Sequence, residues 1–331
     1  MASATTVATP ARRRPAINEQ LARWGGLIGI VVLSIVFSIA LPDTFARVDT
    51  ARILASTQAV LVIVAIGTLF PLIAGEFDLS VGAVTGFASL MLAKMNGTWR
   101  WPLVLAVVVA VLVGTAIGLV NGLLVTKLRI SSFIATLAMS IILSGLAIWA
   151  TAGLVISEGI NAQFINLGTA TILSQVPLAA IFWIGVVAVG WFVLDMTPWG
   201  RYLRVTGANP RSARLLGLPV DRIKLQAFVI SGMVGGMAGV LHLMQIGSAH
   251  PSDGPDLLLP AYAAAFLGST TIHPGRFNAV GTAVAVFLLA VGITGVQLWG
   301  APSWVEPVFN GGALLIAVGL SVRTSRRVAP A

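Results

Sequence analysis

Two carboxylates stand close together between hydrophobic runs of the sequence. They are Glu76 and Asp78, in the segment GEFDLSVG at 75–82. Charge is costly at membrane depth, so such residues usually face a cavity or a charged partner. Asp78 or Ser80 can also cap the helix that we expect to begin near Leu79, by accepting hydrogen bonds from its free N–H groups. The segment therefore predicts either a helix cap or part of a substrate path or its gate.

Other polar side chains interrupt the hydrophobic runs. Each carries an amide, which in a membrane protein bonds either to a neighbouring helix or to a polar solute. They are Gln58, Asn121, Gln245, Gln297 and Asn310. The sequence leaves both roles open. The candidate residues of a substrate path or gate are therefore Glu76, Asp78, Ser80, Gln58, Asn121, Gln245 and Asn310.

A long hydrophilic loop, 197–224, contains six cations and one acid, Asp221. Asn209 and Pro210 are typical of a helix start, with Pro at the first helical position, and Gly217 is typical of a helix end. This short helix would either dock on a cytoplasmic partner or present basic groups to anionic lipid headgroups. Its body would consist of Arg211, Ala213, Arg214, Leu215 and Leu216.

Motifs of enzymes are missing from the sequence. There is no G-x-x-x-x-G-K-[ST], no H-E-x-x-H, and no nucleophile elbow in a strand–turn–helix context. Cysteine is absent, and His242, His250 and His273 show no metal-ligand spacing. We therefore predict no catalytic residues, no metal and no cofactor. If ATP drives transport through this protein, the ATPase must be another chain.

Composition places these residues in a membrane. Hydrophobic residues make up 57% of the 331 residues and charged residues only 9%, with a mean hydropathy of +0.96. A soluble domain carries about 25% charged residues, so much of this chain must face lipid. The net charge of +9 then reflects cations on the cytoplasmic side and not nucleic-acid binding.

Hydrophobic segments predict an all-α, polytopic transmembrane helical bundle of about ten spans. The segments 79–95 and 257–272 are short and flanked by Gly or Pro, which favours broken or partly re-entrant helices. Glycines four residues apart, as at 114/118/122 and 232/236, predict close helix packing. The ten segments are about 25–41, 51–74, 79–95, 101–125, 131–152, 176–195, 225–246, 257–272, 277–298 and 304–322.

Positive charge predicts the orientation. With a cytoplasmic N-terminus and alternating segments, 16 Lys and Arg lie inside and only 4 lie outside. This bias places both termini in the cytoplasm. Five segments fall on each side of the loop 153–175, which favours two inverted five-helix halves. The expected divisions are a disordered basic cytoplasmic tail at 1–24, a single transmembrane domain at 25–322 and a basic cytoplasmic tail at 323–331.

Four stretches are similar to motifs of one family. GEFDLSVGAVTGF at 75–87 looks like the G-G-x-D-L-S-V-G motif of ribose-, xylose- and arabinose-type ABC transporter permease subunits. The stretches at 131–153, 200–232 and 257–284 resemble later motifs of these permeases in the same order. Two departures are visible: Glu76 stands where many members have Gly or another small residue, and Ser212 stands in place of the first Ala of an Ala-Ala pair.

The resemblance implies that this chain forms the translocation pathway of a bacterial ABC importer for a monosaccharide or related polyol. It implies a permease homo- or heterodimer in the inner membrane, a cytoplasmic ABC ATPase subunit and a periplasmic or lipid-anchored sugar-binding protein. The loop around Asn209–Gly217 would be the coupling helix for the ATPase. The residues that the resemblance assigns to this coupling loop are Gly207, Asn209, Pro210, Arg211, Ala213, Arg214, Leu215 and Gly217.

A stand-alone secondary transporter of a small polar solute is the alternative. It would need intramembrane carboxylates to bind the coupling ion, and only Glu76 and Asp78 come close. A membrane enzyme would need clustered His, Asp or Glu at one depth, which the sequence does not show. The sequence does not identify the sugar, because in the similar permeases the external binding protein sets most of the specificity.

Overall fold

The structure is a computed structural model that describes residues 17–172 and 175–328. The described chain forms fourteen α-helices and one two-stranded antiparallel hairpin, β1 (Thr171–Ile172) and β2 (Val176–Pro177). The helices are α1 (Ile17–Ala40), α2 (Val48–Thr57), α3 (Ala59–Ile73), α4 (Val81–Ala93), α5 (Leu103–Thr126), α6 (Ser132–Thr151), α7 (Ala162–Thr169), α8 (Leu178–Trp191), α9 (Pro198–Ala208), α10 (Pro210–Leu215), α11 (Val220–Ile246), α12 (Leu258–Gly268), α13 (Ala279–Leu298) and α14 (Val305–Val328).

The all-α class is confirmed, and each of the ten hydrophobic segments contains helix. Within the described residues, six helices are long and apolar enough to cross a membrane, and α2 with α3, bent by 41° at their junction, makes up to seven. Pro255–Gly268 and Val305–Gly319 are shorter apolar helices. The count of about ten spans is therefore not confirmed. Residues 1–16 of the expected tail lie outside the described residues, and 17–24 belong to α1.

The core is built around α3, α4 and α11. Nearly every residue of α3 and α4 is buried, because these helices are apolar on all sides and such helices belong inside a protein. Helix α11 packs against α3, α4 and α5 along its length. The lipid-facing surface is left to α1, α5, α6 and α8, which carry many of the exposed Val, Leu, Ile and Trp side chains.

Close packing of α5 on α11 depends on glycine, as the four-residue spacing predicts. A Cβ on Gly114 would lie 2.5 Å from the carbonyl oxygen of Gly232, and one on Gly118 would lie 2.3 Å from that of Phe228. Real side chains do not approach backbone this closely, so the two backbones meet directly. In lipid the hydrophobic effect does not drive helices together, because the surrounding chains are as apolar as the helix surfaces. Close van der Waals contact of this kind is therefore a main source of helix association.

Two short helices, α4 and α12, are linked through the loop that precedes α12, which packs against α4. Helix α4 has 13 residues and continues in a π-helical turn, Lys94–Thr98, whereas α12 has 11 residues and follows a 3₁₀ turn, Pro255–Leu257. A Cβ on Gly86 would lie 1.8 Å from the carbonyl oxygen of Asp253. The segments predicted to be broken, 79–95 and 257–272, thus contain short helices, and the loop before α12 packs against α4.

Candidate functional site

The backbone leaves helical geometry between α3 and α4. Gly75 adopts a positive φ of 80°, which ends α3 at little steric cost because glycine has no Cβ. Helix α4 begins only at Val81. Residues 75–80 are named here the re-entrant segment. The N–H groups of Gly75 and Glu76 still bond to carbonyl oxygens at the end of α3, but those of residues 77–80 have no helical carbonyl partner and need other acceptors.

Asp78 lies at the centre of this segment and is only 1% exposed. Its Oδ1 accepts hydrogen bonds from the backbone N–H of Ser80 at 3.0 Å and from the Ser80 hydroxyl at 2.6 Å. Its Oδ2 accepts from the hydroxyl of Ser231 on α11 at 2.7 Å. Asn121 on α5 donates to Ser80 Oγ at 2.8 Å. The structure thus brings together three sequence-predicted residues, Asp78, Ser80 and Asn121.

Side chains of two helices, α6 and α12, satisfy the backbone of the re-entrant segment. Tyr262 on α12 accepts from the N–H of Asp78 at 2.9 Å and donates to its carbonyl oxygen at 3.0 Å. On α6, Ser132 accepts from the N–H of Phe77 at 3.2 Å and Thr136 from that of Leu79 at 2.9 Å. A break in a transmembrane helix is tolerated when neighbouring side chains re-satisfy the backbone in this way.

The helix-cap interpretation is correct for Asp78 in part and wrong for Ser80. Asp78 accepts from the N–H of Ser80, just ahead of α4, but Ser80 itself stands at the N-cap and makes no side-chain cap bond. Ser80 has helical angles, φ −94° and ψ −14°, whereas a capping serine is typically extended. Its hydroxyl turns instead towards Asp78.

Glu76 is positioned by a cation. It pairs with Lys224 near the start of α11, and the two side chains are only 15% and 16% exposed. The pair connects the re-entrant segment to the end of the loop 197–224. A shielded ion pair is poorly screened by water, and removing one partner leaves the other charge buried.

The remaining predicted path residues lie elsewhere. Gln245 on α11 donates to the carbonyl oxygen of Ser56 at 2.7 Å, and Gln58 occupies the bend between α2 and α3. Asn310 lies half-buried on α14, which packs on α12. Gln297 donates to Glu306 at 2.9 Å on an exposed surface. The structure therefore does not bring Gln58, Gln245 and Asn310 to Asp78.

A cavity of about 580 Å³ opens beside Gln245, between α2, α7 and α11. His242 also lines it, and its Nε2 lies 3.5 Å from Asp253 Oδ2 in the loop that leads to α12. Burial opposes the charged form of Asp253, but His242 and the backbone N–H of His250 hold the pKa of Asp253 below its usual range. Asp253 therefore carries its charge at neutral pH.

The loop 197–224 folds as two helices, α9 and α10. Asn209 caps α10 by accepting from the N–H groups of Arg211 and Ser212, both at 3.1 Å, and Gly217 follows the helix with φ 77°. The predicted short helix is confirmed. Leu215 at its end is 90% exposed. Arg129 and Arg214 bond to Asp221 at 2.9 and 3.2 Å, which holds α10 to α11.

Several contributors to the site were not singled out in the sequence. Ser132, Thr136, Ser231 and Tyr262 all bond to the re-entrant segment, and Lys224 pairs with Glu76. Hydroxyl groups are common in transmembrane helices, and nothing in their spacing marks these four. Lys224 was one of six similar cations in its loop. In the described residues, no group of three or more His, Asp or Glu is placed to hold a metal ion.

The protein combines helices that can cross a membrane with a helix break that is lined by buried polar groups. This architecture is typical of membrane transport proteins. Residues 50–318 match the family described as branched-chain amino acid transport system / permease component. The match covers most of the chain, so this protein belongs to that family of permease components.

Relatives match over nearly the whole chain. The ribose import permease protein of Bacillus subtilis is 32% identical, over 95% of this chain and 97% of its own length. The ribose import permease protein of Haemophilus influenzae is 31% identical, over 91% and 94%. The L-arabinose ABC transporter permease protein of Azospirillum brasilense is 32% identical, over 93% and 90%. No solved structure matches the chain.

Proposed function

We propose that this protein is the membrane-spanning permease subunit of a bacterial ABC importer for a monosaccharide or related polyol. The observation that carries the proposal is the end-to-end similarity to permeases named for ribose and L-arabinose import. The subunit would form the translocation pathway as a homo- or heterodimer. A separate cytoplasmic ATPase would hydrolyse ATP, and a periplasmic or lipid-anchored protein would deliver the sugar.

The test is transport by the assembled complex. The permease is reconstituted in vesicles with its partner ATPase and sugar-binding protein, and uptake of radiolabelled ribose and L-arabinose is measured. We expect uptake of at least one sugar that requires ATP, the binding protein and the permease together. Uptake that persists without the ATPase, driven by an ion gradient, would instead identify a secondary transporter.

We place the protein in the inner membrane, with one permease domain at 25–322 and both flanking tails in the cytoplasm. The support is the concentration of Lys and Arg in alternate loops. Under this orientation α9 and α10 face the cytoplasm, and the hairpin of β1 and β2 faces outward. The re-entrant segment then enters from the cytoplasmic side.

Cysteine labelling tests this orientation, because the chain contains no cysteine of its own. In intact cells, a cysteine that replaces Ser157 should react with a membrane-impermeant maleimide, and one that replaces Ser212 should react only after permeabilisation. Both positions lie in loops or short helices of the described chain. The opposite labelling pattern would reverse the topology.

We also propose roles for the candidate residues. Helix α10 would dock on the ATPase, since Leu215 and Leu216 expose an apolar patch at its end. Glu76, Asp78, Ser80 and Asn121 would form the gate at the helix break, and Gln58, Gln245 and Asn310 would contact the sugar elsewhere along its path. Polar groups at broken helices are the usual substrate contacts of transporters.

A further inference from the structure

The re-entrant segment touches the chain on both sides of α10. Gly207 near the end of α9 contacts the start of the segment, and Lys224 near the start of α11 bonds to Glu76. Helix α10 lies between these two points in the sequence. The ATPase is the proposed partner of α10. It would therefore act between the two points of the chain that contact the re-entrant segment.

The first contact joins backbone to backbone. A Cβ on Gly207 would lie 1.9 Å from the carbonyl oxygen of Ile73, and one on Gly75 would lie 3.3 Å from the carbonyl oxygen of Gly207. No side chain lies between the backbone at Gly207 and the backbone at residues 73–75. A movement of one therefore cannot be accommodated by a change of side-chain rotamer. Because packed interiors transmit strain, a displacement of α9 must displace residues 73–75.

The second contact is the ion pair of Glu76 with Lys224. Both side chains are largely shielded, at 15% and 16% exposure. Moving one partner away would leave a poorly solvated charge, so the two groups resist separation.

Helix α10 packs against α9 before it and α11 after it. Ala213 on α10 is fully buried, and its carbonyl oxygen accepts from the N–H of Leu218 at 3.1 Å. Asp221 bonds to Arg214 across the connection to α11. A push on α10 therefore reaches the end of α9 and the start of α11 together, and both contact the re-entrant segment.

We propose that Gly207 and Lys224 are the positioning residues that couple the ATPase to the gate. In the transporter proposed above, on which this inference rests, movement of α10 is carried through Gly207 to Ile73–Gly75 and through Lys224 to Glu76. These contacts move the re-entrant segment and its Asp78 relative to α6 and α12. Loss of either contact uncouples ATP hydrolysis from sugar movement.

The test compares sugar uptake with ATP hydrolysis in the reconstituted complex. Glu76→Gln and Lys224→Glu each break the ion pair, and the double variant Glu76→Lys, Lys224→Glu restores it with reversed charges. We expect each single variant to lower the sugar taken up per ATP about tenfold, within the usual range for energetic coupling between two sites. The double variant should recover most of the ratio. Gly207→Ala should also lower the ratio, without rescue by the charge reversal.

A matched control is the ion pair of Arg204 with Asp195. Its side chains are both 18% exposed, close to the values for Glu76 and Lys224, and it bonds to no residue of the re-entrant segment. Asp195→Asn should leave the uptake per ATP unchanged. An equal loss of uptake and ATP hydrolysis in the Glu76 and Lys224 variants, or failure of the double variant to recover, would overturn the proposal.

A second measurement does not need sugar transport. Phe77 is 41% exposed, and a cysteine in its place reports whether the segment moves. We expect ATP to change the maleimide labelling rate of Phe77→Cys, and we expect this change to disappear when Glu76→Gln is added. A change that survives either Glu76→Gln or Gly207→Ala refutes the coupling route. Wild-type vesicles that show the labelling change but import no sugar would refute the sugar assignment alone.

Discussion

Asp78→Ala is expected to remove most of the folded protein from the membrane. The substitution leaves three buried donors without an acceptor, namely the N–H and hydroxyl of Ser80 and the hydroxyl of Ser231. Each unsatisfied donor costs about 1–3 kcal/mol, and a protein is stable by only about 5–15 kcal/mol. The amount of detergent-soluble protein that elutes as a single species in size-exclusion chromatography measures the loss.

Asp78→Asn separates the charge of this residue from its geometry. The amide oxygen can still accept from Ser80, and the amide N–H can donate to Ser231, whose hydroxyl can accept. We therefore expect normal protein levels. Bonds to a charged acceptor are stronger than neutral ones by about 1 kcal/mol each. Weaker bonds to Ser80 and Ser231 would therefore favour the state of the gate in which the re-entrant segment is released. Sugar uptake should fall about 100-fold for three such bonds.

Thr115→Val on α5 is the control for this pair of variants. Its hydroxyl bonds only to the carbonyl oxygen of Val111 on the same helix, at 2.8 Å. The variant should have normal levels and normal uptake. Normal uptake by Asp78→Asn would show that Asp78 anchors the helix break without a role in gating. Loss of protein in Asp78→Asn, to the same extent as in Asp78→Ala, would show that the charge is needed for folding.

Helices were predictable because hydrophobic length and charge are local properties of the sequence. The ten segments and the capped helix at Asn209–Gly217 follow from runs, caps and breakers within about twenty residues. The number of spans was less certain, since α4 and α12 have only 13 and 11 residues. Short helices of this kind cross part of a bilayer or end against each other, and their length alone does not distinguish these cases.

The partners of Asp78 were not predictable from one sequence. Ser231 lies 153 residues away and Tyr262 lies 184 residues away along the chain. Their contact depends on which helices pack together, and hydrophobic spacing identifies the buried face of a helix but not its neighbour. For α4 even the face is undefined, because the helix is apolar all round. The carboxylate itself was recognisable, since an acid between hydrophobic runs needs a partner.

Leu215→Asp is the second variant with a large expected effect, on assembly and not on folding. Leu215 is 90% exposed at the end of α10, so an aspartate there remains solvated in the isolated permease and its stability should not change. In the proposed complex the same side chain lies against the ATPase, where an unpaired charge costs several kcal/mol. Co-purification of the ATPase and sugar uptake should both be lost, while the permease still inserts at normal levels.

The control for Leu215→Asp is Leu154→Asp, because Leu154 is also strongly exposed but lies in the loop predicted to face outward. Co-purification of the ATPase should be unaffected by Leu154→Asp. If Leu215→Asp retains both the ATPase and uptake, α10 does not dock through Leu215. If Leu215→Asp retains the ATPase but loses uptake, α10 transmits movement without contributing to binding. We expect neither result. Leu215 and Leu216 together form an apolar patch on a basic loop, and an apolar centre with charged groups around it suits a protein partner better than a lipid headgroup.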